Sequence, residues 1–207
     1  MASYCSMVFY VCRHGITRAN QEKRYLGWTD VSITDEARRQ MEGKALPEAR
    51  WYVSDFTRCI QTAEVLLNRP FCITEALREY CFGEWEMKTY DTLKTNPRYR
   101  KWIDDPERIQ PPGGEAMEAF QHRLLSFWRE VEGTAPAVGI VAHGGSIREL
   151  LFLLGFTASR WEASVPHGGL LRLDLQQSEE GWTCTSLSAA PLLEHSKQHR
   201  TAIRKRL

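Results

Sequence analysis

Three short runs of continuous apolar residues punctuate the chain: Met7–Cys12 (MVFYVC), Arg50–Ser54 (RWYVS) and Ala137–Ala142 (AVGIVA). Unbroken hydrophobicity over so few residues, without polar alternation, predicts strands buried on both faces, as in a parallel sheet. Between the runs the apolar spacing lengthens to that of helices. Thr34, followed by Asp35 and Glu36, predicts a capped helix continuing towards Leu46. Thr57–Leu67 carries Ile60, Ala63 and Leu67 at helical spacing and stops at Arg69-Pro70. Glu115–Glu132 repeats Met117, Phe120, Leu124 and Phe127, and Ser146–Leu154 follows the third strand. Strands alternating with helices predict an α/β fold with a mostly parallel sheet, and Leu170–Leu175 with Trp182–Leu187 predicts a late hairpin at its edge.

Tyr80–Gly114 breaks this rhythm. It is aromatic and charged (Tyr80, Phe82, Trp85, Tyr90, Tyr99, Trp102) and ends in Pro111-Pro112-Gly113-Gly114. An excursion of that length inside a compact unit reads as a functional lid, so residues 1–207 are expected to form one domain with a cap inserted at about 80–114. The aromatic residues suit the packing of the lid's own core, with substrate stacking as the alternative.

Composition narrows the class. The 207 residues are 43% hydrophobic and 26% charged, which is ordinary globular usage. A net charge of +1 gives no overall field for nucleic acid or an anionic membrane, and neither is expected as a partner. The longest apolar run, Leu150–Phe156, is far shorter than the roughly 20 residues of a membrane helix. No basic segment precedes Arg13 in the manner of a secretory signal. Cys5, Cys12, Cys59, Cys72, Cys81 and Cys184 show no CxxC spacing, so reduced thiols, a cytoplasmic location and no metal are expected. The tail from Lys197 (with Arg200, Arg204, Lys205 and Arg206) reads as a solvated terminus, with a phosphate- or RNA-binding arm as the alternative.

The candidate chemistry lies where strands end. Arg13-His14-Gly15 follows the first strand and His143-Gly144-Gly145 the third; the second ends at Ser54, with Arg58 in the next helical turn. Ligands of open α/β sheets bind beyond the carboxyl ends of the strands, so two histidines and two arginines converge there. Guanidinium groups brought together repel unless an anion lies between them, and their forks match phosphate oxygens.

These residues resemble the histidine phosphatase superfamily, the phosphoglycerate-mutase-like phosphatases. Arg13-His14-Gly15 with Thr17 and Asn20 is similar to its opening motif. Further matches follow in family order: Gly27-Trp28-Thr29-Asp30 with Ile33-Thr34, then Ser54 and Arg58 with Gln61-Thr62-Ala63-Glu64. Leu77-Arg78-Glu79 with Phe82-Gly83-Glu84-Trp85-Glu86 comes next, then Pro112-Gly113-Gly114-Glu115 with Phe120 and Arg123, and His143-Gly144-Gly145 with Ile147-Arg148. The resemblance implies a three-layer α/β/α sandwich with an inserted cap, catalysis through phosphohistidine, and no metal or other cofactor. It makes His14 the nucleophile and Glu79 the proton donor, with Glu84 and Glu86 as rivals. Arg13, Arg58 and His143 would form the phosphate pocket, completed by Thr17, Asn20 and Gly144, with Gly27 and Trp85 contacting substrate. The chemistry is consistent with these roles: a neutral His14 needs an acceptor for its second ring nitrogen, such as the Gly15 carbonyl, and flanking arginines disfavour its imidazolium.

Two positions depart from the common pattern, Ile16 in place of a frequent glutamate and Asp55-Phe56 in place of Pro-Leu, and both alter the pocket's rim. His122, His167, His195 and His199 have no motif partner and read as surface or structural. Phe82–Met87 resembles the α-ribazole 5′-phosphate phosphatases of cobalamin biosynthesis. The segment Tyr80–Met87 holds no basic residue for an acidic leaving group. The expected substrate is thus a small-molecule phosphomonoester, foremost α-ribazole 5′-phosphate. A broad-specificity or sugar-phosphate phosphatase, a phosphoglycerate mutase and a non-catalytic phospholigand-binding module are the alternatives; the oligomeric state is left open.

Overall fold

A computed structural model describes residues 5–194 and 204–206. Seven strands form the central sheet: β1 (Ser6–Arg13), β3 (Arg50–Ser54), β4 (Phe71–Thr74), β5 (Ala137–Ala142), β6 (Leu170–Ser178), β7 (Gly181–Ala190) and β9 (Arg204–Arg206), in the order β7-β6-β1-β5-β3-β4-β9. The pairs from β1 to β9 are parallel, whereas β6 and β7 add antiparallel to the other edge as the expected hairpin. β2 (Lys44–Ala45) and β8 (Leu193–Glu194) pair separately.

The apolar runs are continuous because both sheet faces are covered. From β1, Phe9 and Val11 join one core with α6 (Met117–Val131) and α7 (Gly144–Leu153); Tyr10 and Cys12 join the other with α2 (Asp35–Met41) and α3 (Thr57–Leu66). The result is the anticipated helix–sheet–helix sandwich. Parallel register sets Arg13 opposite Ala142 and Val53 opposite Val141, so the ends of β1, β5 and β3 lie side by side.

The expected elements are found with three corrections. α2 ends at Met41 rather than running towards Leu46, because the chain turns at Gly43 (φ +78°) and enters β2. β4 was not foreseen. Within the described part of the tail, Arg204–Arg206 is a strand paired with β4 rather than a free terminus; Lys197 and Arg200, like His195 and His199, lie outside the described residues.

The insertion carries structure of its own: a 3₁₀ turn (Gly83–Trp85), the short helix α4 (Tyr90–Leu93) and α5 (Pro97–Asp104), which Asn96 caps ahead of Pro97. Its rings pack against one another: Trp85 meets Tyr99 edge to face at 5.4 Å and lies tilted 5.0 Å from Trp102, and Phe82 lies tilted 5.0 Å from Tyr25. Such pairs add about 0.5–1.5 kcal/mol each beyond area burial, which fixes the cap on the sheet's α6 side. Trp85 is 2% exposed, so it packs the cap instead of contacting substrate.

Candidate active site

His14 leaves β1 and is buried. Its Nδ1–H donates to the Gly15 carbonyl at 2.7 Å, which leaves Nε2 unprotonated and available. Burial, and then the charge of Arg58, hold its pKa well below the ordinary imidazole range. The ring is therefore neutral at physiological pH.

Arg58, in the first turn of α3, is fully buried without an ion pair among the described residues. Its Nη2 donates to the Gly27 carbonyl (2.6 Å), Nη1 to the Thr29 carbonyl (3.0 Å) and Nε to His143 Nδ1 (3.1 Å). Arg13 donates Nη1 to the Val165 carbonyl (3.1 Å), while its buried Nε has no hydrogen-bond partner among the described residues. Burial lowers the pKa of both guanidinium groups from the ordinary value. Two desolvated cations that form no ion pair among the described residues, with Glu79 acting on both from beyond salt-bridge distance, suit an anion.

The structure redistributes several expected roles. His143 lies 5.2 Å from His14, ring to ring, and both its nitrogens are engaged. Arginine only donates, so Nδ1 accepts from Arg58, and Nε2–H donates to Ser54 Oγ (2.9 Å). His143 thus aligns Arg58. Thr17 is fully buried: its hydroxyl accepts from the Asn20 backbone N–H (3.2 Å) and donates to Asn20 Oδ1 (2.9 Å), capping α1 (Arg18–Gln21) instead of facing phosphate. Asn20 Oδ1 takes both Thr17 donors, N–H and hydroxyl, and the residue lines the cavity beside Arg13. Gly144 supports rather than binds, since a Cβ there would lie 3.0 Å from the Arg13 guanidinium carbon.

Gly27 likewise holds protein, not substrate. Its carbonyl meets Arg58, its N–H meets Glu86, and a Cβ would fall 2.2 Å from the Tyr80 carbonyl oxygen. Glu86 itself accepts from the backbone N–H groups of Gly27, Trp28, Thr29 and Phe82, which identifies it as a structural carboxylate. Glu84 is exposed. Glu79 is buried near the site; its Oε2 accepts from Gly145 N–H (2.7 Å) and Oε1 from Tyr80 N–H (3.0 Å). A Cβ on Gly145 would approach Glu79 Oε1 to 2.3 Å, so this carboxylate needs a glycine there. The rim beside it is built from the departures noted in sequence: Asp55 pairs with Arg78 (2.6 Å), whose guanidinium covers the rings of Trp28 and Phe56.

Two cavities open beside these groups. One, of about 510 Å³, is lined mainly by apolar side chains, among them Tyr25, Tyr80, Phe82, Trp102 and Phe120, with Gly145 and Arg148 from α7. The other, of about 290 Å³, is lined by Arg13, Asn20, Lys23, Arg24, Tyr25, Tyr90 and His167. Arg148 forms no ion pair among the described residues and stacks on Trp161, 79% exposed, at 5.4 Å. Hence a basic residue does reach the apolar cavity, from α7 rather than from Tyr80–Met87. His122 is exposed, as expected, but His167 is at the site, 5.2 Å from His14 ring to ring. Its only sequence signal is that His167-Gly168-Gly169 repeats the tripeptide His143-Gly144-Gly145.

A neutral imidazole flanked by guanidinium groups that form no ion pair among the described residues suits a phosphoryl group. The profile of the histidine phosphatase superfamily (branch 1) matches residues 9–189, and the chain belongs to that superfamily. It is a phosphatase-type enzyme acting on small phosphorylated molecules. The adenosylcobalamin/alpha-ribazole phosphatase of Salmonella typhimurium is 27% identical over 82% of this chain and 91% of its own. A 2,3-bisphosphoglycerate-dependent phosphoglycerate mutase of Tropheryma whipplei is 29% identical over 67% and 79%. Among solved structures, a candidate alpha-ribazole-5′-P phosphatase of Escherichia coli superposes with a TM-score of 0.74 at 25% identity, covering 91% of this chain and 96% of that one. A phosphoglycerate mutase of Thermus thermophilus superposes at 0.65 with 31% identity, covering 92% and 100%. Among the described residues no helix is long and apolar enough to cross a membrane.

Proposed function

We propose that the chain hydrolyses phosphomonoesters through a phosphohistidine on His14, without a metal ion, and that α-ribazole 5′-phosphate is its substrate. The neutral imidazole between unpaired Arg13 and Arg58 carries the reading. The Nε2 lone pair of His14 attacks phosphorus while the bond to the ester oxygen breaks. The leaving oxygen takes its proton from Glu79, and the two guanidinium groups hold the charge spread over the equatorial oxygens. Water then attacks the phosphoenzyme, gives a proton to Glu79, and the N–P bond breaks with its electron pair returning to Nε2. The leaving group sits in the apolar cavity, whose rings suit a flat base.

Acid-quenched enzyme incubated with labelled substrate should carry acid-labile, base-stable label. Label on serine or cysteine would exclude the mechanism, and activity lost to EDTA and restored by zinc or magnesium would exclude metal independence. A panel of α-ribazole 5′-phosphate, phosphoglycerates and sugar phosphates tests the substrate. One observation favours a second reading: Arg148 in the cavity wall would suit the carboxylate of a phosphoglycerate. A kcat/KM for 3-phosphoglycerate equal to or above that for α-ribazole 5′-phosphate would establish that reading.

A further inference from the structure

Of the three imidazoles clustered at the site, His143 has both nitrogens engaged by protein and His14 supplies the nucleophile. His167 has a different arrangement. Its Nδ1 hydrogen bonds to the His14 carbonyl at 3.3 Å, so Nδ1 carries the proton and Nε2 remains an unprotonated acceptor. The same segment holds the nucleophile's backbone: Gly168 N–H donates to the Arg13 and His14 carbonyls, Arg13 N–H donates to the Gly169 carbonyl, and Val165 carries the Arg13 guanidinium. The ring borders the smaller cavity with Arg13 and Asn20.

From this geometry we infer that His167 is a phosphate-binding residue whose Nε2 takes a proton from solvent as a phosphate dianion binds and then donates it to a non-bridging oxygen. The inference rests on the proposed phosphatase reading only in placing the anion beside His14. The groups lining the cavity around His167 are Arg13 from β1, Asn20 from α1, Lys23, Arg24 and Tyr25 from the turn after it, and Tyr90 from α4; none is a carboxylate. His14 adjoins from the other side. Burial, and then Arg13, pull the His167 pKa down to about 4 in the free protein. A dianion in contact opposes both effects and raises it. By linkage, the extra affinity is complete below the free-state value and is lost as pH rises through the bound-state value.

Inorganic phosphate is the probe, measured by calorimetry in two buffers of different ionisation heat and as an inhibitor of p-nitrophenyl phosphate turnover. His167→Asn retains an N–H for the His14 carbonyl and removes the titrating nitrogen. It should weaken phosphate binding about tenfold near pH 7, where the free dianion is abundant and His167 must draw its proton from solvent, by the worth of one charge-assisted hydrogen bond, converge on the wild type by pH 9, and take up fewer protons on binding. A defect equal at every pH would reduce His167 to a backbone support, and no defect at any pH would remove it from the site; either overturns the inference. Calorimetric binding does not need turnover, so an inactive wild type that still binds phosphate with proton uptake would defeat the phosphatase reading alone. Unfolding midpoints of wild type and variant, together with His167→Ala as a second variant, separate loss of fold from loss of the nitrogen.

Discussion

The two cavities share Tyr25 and little else. The smaller is bordered by the end of β1, by α1 and the turn after it, by Tyr90 of α4 and by His167, and its charged lining is wholly basic. The larger lies against the insertion; its acidic residues Glu107 and Glu149 are both bound by Arg160, leaving an apolar wall and Arg148. The smaller cavity thus takes its positive charge from Arg13 at the end of β1 and from the turn after α1, whereas the larger takes much of its apolar wall from the insertion. Changes at the first should affect every phosphomonoester alike, and changes at the second should sort substrates by leaving group.

The largest expected effect lies on the strand-end side. His14→Ala should abolish turnover for every substrate while phosphate still binds through Arg13 and Arg58, as equilibrium titration would show. Residual turnover that differs between substrates would break the division. Next comes Glu79, which stands between the two regions. Glu79→Gln should slow an alkyl phosphate by roughly 10²–10⁴ and p-nitrophenyl phosphate far less, because only the poor leaving group needs a proton. Equal losses would point to a positioning role for Glu79.

Within the cap, two aromatic residues should separate. Trp85→Ala removes a buried ring and should cost about 3–5 kcal/mol of stability, read by denaturant unfolding. Phe82→Ala opens the cavity wall and should raise KM for α-ribazole 5′-phosphate about tenfold, with p-nitrophenyl phosphate less affected. The smallest effect concerns pH. His14 and His143 are neutral when folded but bind protons near pH 6.5 when unfolded, so the unfolded state gains protons first as pH falls. The unfolding midpoint should fall below about pH 6.5, less steeply in His143→Gln.

The strands and the candidate site at their ends were legible because burial on both faces leaves an unbroken apolar signature, and because Arg13, His14, Arg58 and His143 follow within a few residues. β4 was hidden by its length: Phe71–Thr74 is too short to show a period and follows Pro70. The fine division of roles was not legible either. The sequence resemblance assigned Thr17 and Gly144 to phosphate and Gly27 to substrate, but only geometry shows that Thr17 caps α1, that Gly27 offers its carbonyl to Arg58, and that Gly144 makes room for Arg13. Glu86 and Glu79 look alike in the chain; four backbone N–H groups distinguish the first. His167 could have been found only by noticing the repeated His-Gly-Gly.

That four-way hold on Glu86 has a consequence for protein engineering. One carboxylate ties residues 27–29, which aim Arg58, to the first turn of the insertion at Phe82. It works as a bolted flange between a fixed chassis and an exchangeable head. A chimera that borrows another relative's cap should splice after Glu86 and rejoin before Pro112, whose carbonyl accepts from Glu84 N–H. Such a graft would trade leaving-group preference while keeping the transfer chemistry in register, whereas a splice a few residues earlier would unseat Arg58 and forfeit both.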